Sequence, residues 1–390
     1  MSLAEALKKK GVKVQGVQKP APLWKGPEEE GVTQSLLSRF LTDRERFRLL
    51  VVEGLQGRDR WNHKIGYGDM WHLCEEVLAA KPTLINGWCG AMEKVLQDYV
   101  KENNRTYFNQ QEEIVKWYDV CRVQFPEYVR HWAKHQDSKK RIPLLQEQPF
   151  CVSYGLPSGR IVKLLGVWDA VDLIDDYIWV RENKSKGNPD KQQIERQVTF
   201  DLQTMFYIVA LKHWIDDWEI AAKLLAKWAR RLKGKGLAGV SYNVVRRPLS
   251  GGRGTIKPHE GTTKKLAETR EHFFARLRDD YIRAEPDYFF MRWEIRVHDQ
   301  DVYNFCKQSL DPILEQLCSW WQWVRGTHDP YNVNKIGNPE GIHYRMPYGV
   351  YSPLLDIRTG STEYDTYLET GSEVGLVRIT NLFPELTDHA

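Results

Sequence analysis

Cysteine is sparse in this 390-residue chain. Its six residues (Cys74, Cys89, Cys121, Cys151, Cys306 and Cys318) are scattered and form no Cys-x-x-Cys pair. That spacing excludes a paired-cysteine zinc frame and suits reduced thiols better than a disulfide scaffold. Long apolar runs are missing too, and mean hydropathy is −0.56, so no membrane span is expected. The N-terminal residues are basic but lack an apolar stretch with a small-residue cleavage site, so no secretory signal is expected. No GxxxxGK[ST], GxSxG or HExxH occurs, which leaves ATP hydrolysis, serine hydrolysis and zinc-protease chemistry without a motif. These absences lead us to expect a soluble, cytoplasmic protein.

Charge is unevenly spread. Between Lys212 and Lys265 there are 13 Lys/Arg against four acids, a surplus of nine in a chain whose net charge is only +4. This segment is either a solvated face or a polyanion-binding surface. Within it, PLSGGRGTIKPHEGTT reads as a glycine-bearing basic loop. Arg246, Arg247, Arg253 and Lys257 are its candidate phosphate contacts, with Lys264 and Lys265 beyond them.

Periodicity orders the rest. Residues 1–33 read as an N-terminal arm and 34–390 as one elaborated domain. Residues 34–56 and 66–81 read as helices, with the glycines of GYGDMWHLCEEVLAA ahead of the periodic part. Residues 84–140 read as a helical insertion outside the catalytic core. From residue 147 alternation takes over in QPFCVSYG, GRIVKLLGVWDAVDLI and YIWVRENKS, a three-stranded meander with Asp175 and Asp176 at one turn. A long helix follows over about 191–213, then another over 214–233. LAGVSYNVVRR and DYFFMRWEIRV are strand candidates, and helix returns near 264 and over about 302–323. Residues 147–235 would form the catalytic core, and 236–390 the basic loop and C-terminal helices.

The meander places charge where apolar residues should dominate. Strand side chains alternate, so Asp169 shares a face with Val167 and Val171, and Glu182 shares one with Val180 and Lys184. A tight turn brings Asp169 beside Glu182 and Lys184. Two carboxylates suit a hard cation such as Mg²⁺, which can acidify water and stabilise charge on a phosphodiester oxygen. Lys184 can orient or deprotonate that water, or neutralise the phosphorane. Asn183 points to the other face, with its backbone carbonyl near the metal. From these residues alone, a solvated strand end remains an equal reading.

Four patterns in order favour the chemical reading. Gly68 and His72 form Gly-x-x-x-His on a helix, Gly166 and Asp169 form Gly-x-x-Asp, Glu182-Asn183-Lys184 forms Glu-x-Lys, and Gln203 and Tyr207 form Gln-x-x-x-Tyr on a following helix. Over roughly 66–81 and 147–215 the chain resembles the PD-(D/E)xK nuclease superfamily, and within it the RecB-like exonuclease branch. VSYNVVRRP and YFFMRWEI resemble phage-encoded members more loosely. Trp168 stands where the family name has proline.

The resemblance implies an α/β restriction-endonuclease-like core: a central mixed β-sheet flanked by helices, with a helical N-terminal insertion and C-terminal additions. It further implies a Mg²⁺- or Mn²⁺-dependent DNA exonuclease, with recombination and repair as its setting. His72, Asp169, Glu182 and Asn183 would hold metal, Lys184 would assist the attacking water, and Gln203 and Tyr207 would position lysine and substrate. Glu76, one turn beyond His72, can add a carboxylate through water. Some relatives hold an iron-sulfur cluster through C-terminal cysteines; none follows Cys318, so no cluster is expected. DNA is the expected partner, with a recombination or replication protein as a further one. Two alternatives share these residues: an endonuclease or DNA-processing subunit, and an inactive DNA-binding scaffold. The intact Asp/Glu/Lys set argues against the last.

Overall fold

The computed structural model describes residues 22–57, 61–80, 88–135, 141–217, 234–251, 254–263, 266–326, 376–383 and 386. In chain order it contains β1 (Val32–Thr33), α1 (Gln34–Thr42), α2 (Arg44–Phe47), a π-helical turn at Arg48–Val52 and β2 (Leu55–Gly57). There follow α3 (His63–Ala80), α4 (Gly90–Thr106), α5 (Gln111–Lys134), β3 (Ile142–Gly155), β4 (Ile161–Ile174) and β5 (Tyr177–Lys186). Next are α6 (Lys191–Gln197), α7 (Leu202–Asp216), β6 (Leu237–Arg246), α8 (Arg270–Arg276), α9 (Pro286–Phe289) and β7 (Phe290–Arg296). The last are α10 (Asp299–Phe305), α11 (Asp311–Gly326) and β8 (Leu376–Arg378).

The chain divides into two compact units, one of residues 1–59, 158–163 and 313–388 and the other of essentially all the rest. In the first, Trp24, Phe40, Phe47, Trp320 and Trp321 form an aromatic cluster with ring centroids 5.0–5.6 Å apart. Edge-to-face pairs of this kind add roughly 0.5–1.5 kcal/mol each beyond the area they bury. β2 and β8 pair antiparallel in the same unit. The helix expected over 34–56 is therefore broken at Asp43, which is extended (φ −162°, ψ 110°), its helical part ends at Val52, and Leu55–Gly57 is a strand.

The second unit holds most of the central sheet. Strand order is β1-β4-β5-β6-β7, with β3 also paired to β4, six strands in all. The first residues of β4, 161–163, belong to the same unit as β1. β4 and β5 are antiparallel, β5 and β6 parallel, and β6 and β7 antiparallel. The sheet is mixed and flanked by helices, the fold class the sequence implies.

The β4–β5 turn fixes register. Ile174 pairs with Tyr177 across a two-residue loop, and both loop residues, Asp175 (φ 46°) and Asp176 (φ 72°), are left-handed. Positive φ at both central positions matches the right-handed twist of the strands, and aspartate tolerates it better than most residues. The parallel β5–β6 pair needs a crossover, and α6 and α7 lie within it.

That crossover corrects one expectation. The helix expected over 191–213 is broken: α6 passes through a 3₁₀ turn at Val198–Phe200, and Asp201 is extended (φ −69°, ψ 113°). Its carboxylate accepts the Thr204 N–H and caps α7, because aspartate can satisfy the orphan donors of a helix start. Arg196, in α6, and Thr199, in the 3₁₀ turn, thus lie on different elements from Gln203 and Tyr207. The second helix expected there, over 214–233, lies mostly outside the described residues; Trp214–Asp216 close α7.

The glycines expected ahead of the first site helix lie inside it. Gly66 and Gly68 fall within α3, and a Cβ on Gly66 would come within 2.5 Å of the Trp61 ring. Close indole packing outweighs glycine's poor helix propensity. α3, α4 and α5 share a core containing Trp71, Met92, Leu96, Phe125 and Tyr128, so α4 and α5 pack against α3. Among the described residues no helix is long and apolar enough to cross a membrane.

Candidate active site

The Ala170↔Arg181 pair of the β4–β5 ladder puts Asp169 and Glu182 one step further along, on the opposite face of the sheet. Asp169 is locked from behind: its Oδ2 accepts the Asn183 backbone N–H at 2.7 Å. Gly166 makes room for the packing at this strand, since a Cβ there would lie 2.6 Å from the Phe150 ring and 3.2 Å from that of Tyr207. Trp168, in the family's proline position, stacks on Phe150 at 4.3 Å and donates its indole N–H to the Tyr207 carbonyl at 3.1 Å.

Glu182, Lys184 and Gln203 form a closed hydrogen-bonded triangle. Lys184 Nζ donates to Glu182 Oε1 and, at 2.9 Å, to Gln203 Oε1; Gln203 Nε2 donates to the same Glu182 oxygen at 2.7 Å. The other oxygen, Glu182 Oε2, is buried and has no hydrogen-bond partner among the described residues. A buried carboxylate oxygen without a donor is costly unless a cation or water completes it. Burial, followed by the Asp169 charge, raises the Glu182 carboxyl to about 7 against the pull of Lys184. Burial acts to lower the Lys184 ammonium, but Glu182 and Asp169 outweigh it and the net shift is upward.

His72, on α3, reaches the same cluster. Its Nδ1 is 3.2 Å from Glu147 Oε1 and its Nε2 is 4.0 Å from Asp169 Oδ2. Burial would lower its pKa, yet Asp169 and Glu147 raise it to about 10. The ligating atoms of His72, Glu147 and Asp169 all lie within 4.8 Å of one another. Two carboxylates and one imidazole form this group; Glu182, with its orphan oxygen, lies outside it but near enough to raise the His72 pKa, and together these donors fit a divalent cation that prefers oxygen ligands.

Glu147 escaped the sequence reading. It adopts φ 41° inside β3, a conformation uncommon in non-glycine residues and concentrated at functional sites. The one sequence signal is an acid two residues ahead of Pro149 at the head of an alternating run.

The opposite face of the two strands carries a buried ionic cluster. Arg181 donates to Glu75 Oε2 at 3.2 Å and Gln146 Oε1 at 2.7 Å, and its Nε lies 3.1 Å from Asp172 Oδ2. The Asn183 side chain belongs here too, accepting from Asn243 Nδ2 at 2.9 Å, which also reaches Tyr128 Oη at 2.6 Å. Its side chain thus faces away from the carboxylates, as alternation requires.

The basic residues divide differently. Arg246 lies 3.9 Å over the Tyr288 ring and donates to the Gly187 and Tyr288 carbonyls, both at 3.2 Å. Arg247 is buried and donates to the Ser185 carbonyl at 2.6 Å and to Ser250 Oγ at 3.0 Å. Both guanidinium groups tie the ends of β5 and β6 together. Lys257 is exposed; Arg253, Lys264 and Lys265 lie outside the described residues. Lys186, two residues beyond Lys184 and on its face, is a part-exposed lysine whose pKa is lowered by burial and then by Lys184. Glu76 does not join the cluster defined by His72, Glu147 and Asp169.

Carboxylates that a cation can bridge, beside an ammonium held in its charged form, suit attack on a phosphodiester. Fold and site together define a metal-dependent nuclease. A family model described as the PD-(D/E)XK nuclease superfamily matches residues 32–294, more than half of the chain, and the chain belongs to that superfamily. Divalent metal ions, typically Mg²⁺, serve these nucleases, and DNA is the substrate class the family implies. No curated protein matches the chain.

Proposed function

We propose that the chain is a RecB-like DNA exonuclease of phage type that hydrolyses phosphodiester bonds at DNA ends with Mg²⁺ or Mn²⁺, in the cytoplasm. The observation that carries this reading is the Gln203–Lys184–Glu182 triangle. It joins the Gln-x-x-x-Tyr helix characteristic of that branch to the Glu-x-Lys strand, which the superfamily as a whole shares.

Asp169, Glu182, His72 and the Asn183 carbonyl would hold the metal, and Glu147 is added to that set. A bound divalent ion would acidify water and offset charge building on the phosphate. The Asn183 N–H keeps Asp169 aimed, and Gln203 keeps Lys184 aimed. In the metal-free protein Glu182 and Asp169 favour the protonated form of Lys184, and it would orient the attacking water or contact a phosphate oxygen. Tyr207, whose carbonyl accepts from Trp168, sits one turn beyond Gln203 and would contact the substrate strand. Lys257 and Arg253 remain the proposed phosphate contacts of the basic loop, whereas Arg246 and Arg247 act by shaping the strand ends.

The test is digestion of end-labelled single- and double-stranded linear DNA, beside a closed circle, with Mg²⁺, Mn²⁺ or EDTA, and with Lys184→Ala run in parallel. Metal-dependent loss of linear DNA alone, abolished by the substitution, is expected. Cleavage of the circle would move the assignment to an endonuclease with the same site.

A further inference from the structure

A second cluster of metal-binding side chains lies elsewhere in the same unit and has no part in the nuclease chemistry. His131 is in the last turn of α5, and His135 is the residue that caps it, its N–H bonded to the Trp132 carbonyl at 3.2 Å. Four residues apart at a helix end, the two imidazoles fall on one side, and their ring centroids are 4.5 Å apart. Asp287, in the first turn of α9, completes the group with its Oδ1 3.7 Å from His131 Nε2. The candidate ligand atoms of all three residues lie within 4.8 Å of one another.

We propose that His131, His135 and Asp287 form a binding site for a zinc-like transition metal, separate from the nuclease centre. Nitrogen-rich donors select Zn²⁺ and its neighbours over Mg²⁺, which favours all-oxygen shells. At metal–ligand distances of about 2.0–2.1 Å, tetrahedral ligands stand roughly 3.3 Å apart. The 3.7 Å pair is already close to that spacing, and the remaining atoms, within 4.8 Å of one another, need approaches of at most about 1.5 Å, within reach of side-chain rotation at an exposed rim. His131 is already held, its side chain 7% exposed and flanked by Trp132 at 4.7 Å and Phe290 at 5.7 Å. Asp287 and His135 are exposed, which leaves an open side for the ion to enter and for water as the fourth ligand. The metal would fasten the end of α5 to the short helix that leads directly into β7, the edge strand beside β6.

The test uses the full chain stripped with chelator and titrated with Zn²⁺ in excess Mg²⁺, so that the oxygen-rich centre is competed. Wild type, His135→Ala, Asp287→Asn and His72→Ala would be compared, with Co²⁺ absorption reporting nitrogen ligation. His135 and Asp287 are exposed, so neither substitution should disturb folding, and melting curves without metal would verify this. We expect a Zn²⁺ site retained in His72→Ala and weakened in both other variants by at least about tenfold, since even groups one shell out from a metal are worth about 10–100-fold. Zn²⁺ should raise the melting temperature of wild type but not of those two variants, while their Mg²⁺-supported DNA cleavage equals that of wild type. Zn²⁺ binding unchanged in both His135→Ala and Asp287→Asn would overturn the proposal. So would its loss in His72→Ala alone.

Discussion

Replacing Gln203 by alanine removes both hydrogen bonds that this side chain makes, one to Lys184 at 2.9 Å and one to Glu182 at 2.7 Å. Each involves a charged partner, and such bonds are worth about 1.5–3 kcal/mol when solvent cannot replace them. Lys184 keeps its bond to Glu182, so the ammonium is not released but regains rotation. If roughly 1.4–2.8 kcal/mol of that positioning is felt in the transition state, the rate falls about 10–100-fold. Gln203 is part-exposed, so water refills the gap and the stability loss should stay near 1 kcal/mol. The assay is single-turnover cleavage of end-labelled DNA at saturating Mg²⁺, with a thermal melt as control. A Gln203→Ala rate within about twofold of wild type would show that the triangle does not orient the lysine. A collapse of the melting temperature would show that Gln203 is chiefly structural.

Metal binding should tighten as pH rises. In the metal-free protein Glu182 titrates at about 7 and His72 at about 10, both above their ordinary values, and each must lose its proton to bind a cation. Below about pH 7 both protons oppose the metal; between about 7 and 10 only that of His72 does. Calorimetry in buffers of different ionisation enthalpy should detect proton release on Mg²⁺ binding, and a pH-independent affinity would contradict the ligand assignment. Glu147→Gln keeps the side chain's shape but removes its charge. It should raise the Mg²⁺ concentration needed for half-maximal cleavage by about tenfold with little change in melting temperature; an unchanged requirement would remove Glu147 from the metal set. Arg181→Ala should destabilise the protein by about 3–5 kcal/mol, because it leaves the buried Glu75 carboxylate without its cation and the buried Asp172 with Arg141 at 3.7 Å in place of the nearer Arg181 at 3.1 Å. Chemical denaturation measures this, and a loss below about 1 kcal/mol would mean that the cluster relaxes or hydrates.

The sequence by itself determined the hairpin at the heart of the site. Period-two alternation on both sides of Asp175-Asp176 admits one register, because a one-residue slip would turn Asp169 and Glu182 to the wrong faces. The four-residue spacing of Gln203 and Tyr207 likewise placed both on one helical face, although the break at Asp201 went unread despite its Asp-x-x-Thr capping pattern. Tertiary structure alone decided three things. Glu147 joins His72 because β3 pairs with β4 and because one residue takes a left-handed conformation, which no local pattern encodes. Gly66 and Gly68 are helical because Trp61 packs on the first of them, a contact that overrides propensity. Arg246 and Arg247 count as positive charge in the composition, but the carbonyls of Ser185, Gly187 and Tyr288 consume their donors. Alternation and turn chemistry act between neighbours along the chain and can be read there, whereas the Glu147 and arginine contacts join groups 42 to 75 residues apart and, like the packing of Trp61 on Gly66, exist only once the chain has closed on itself.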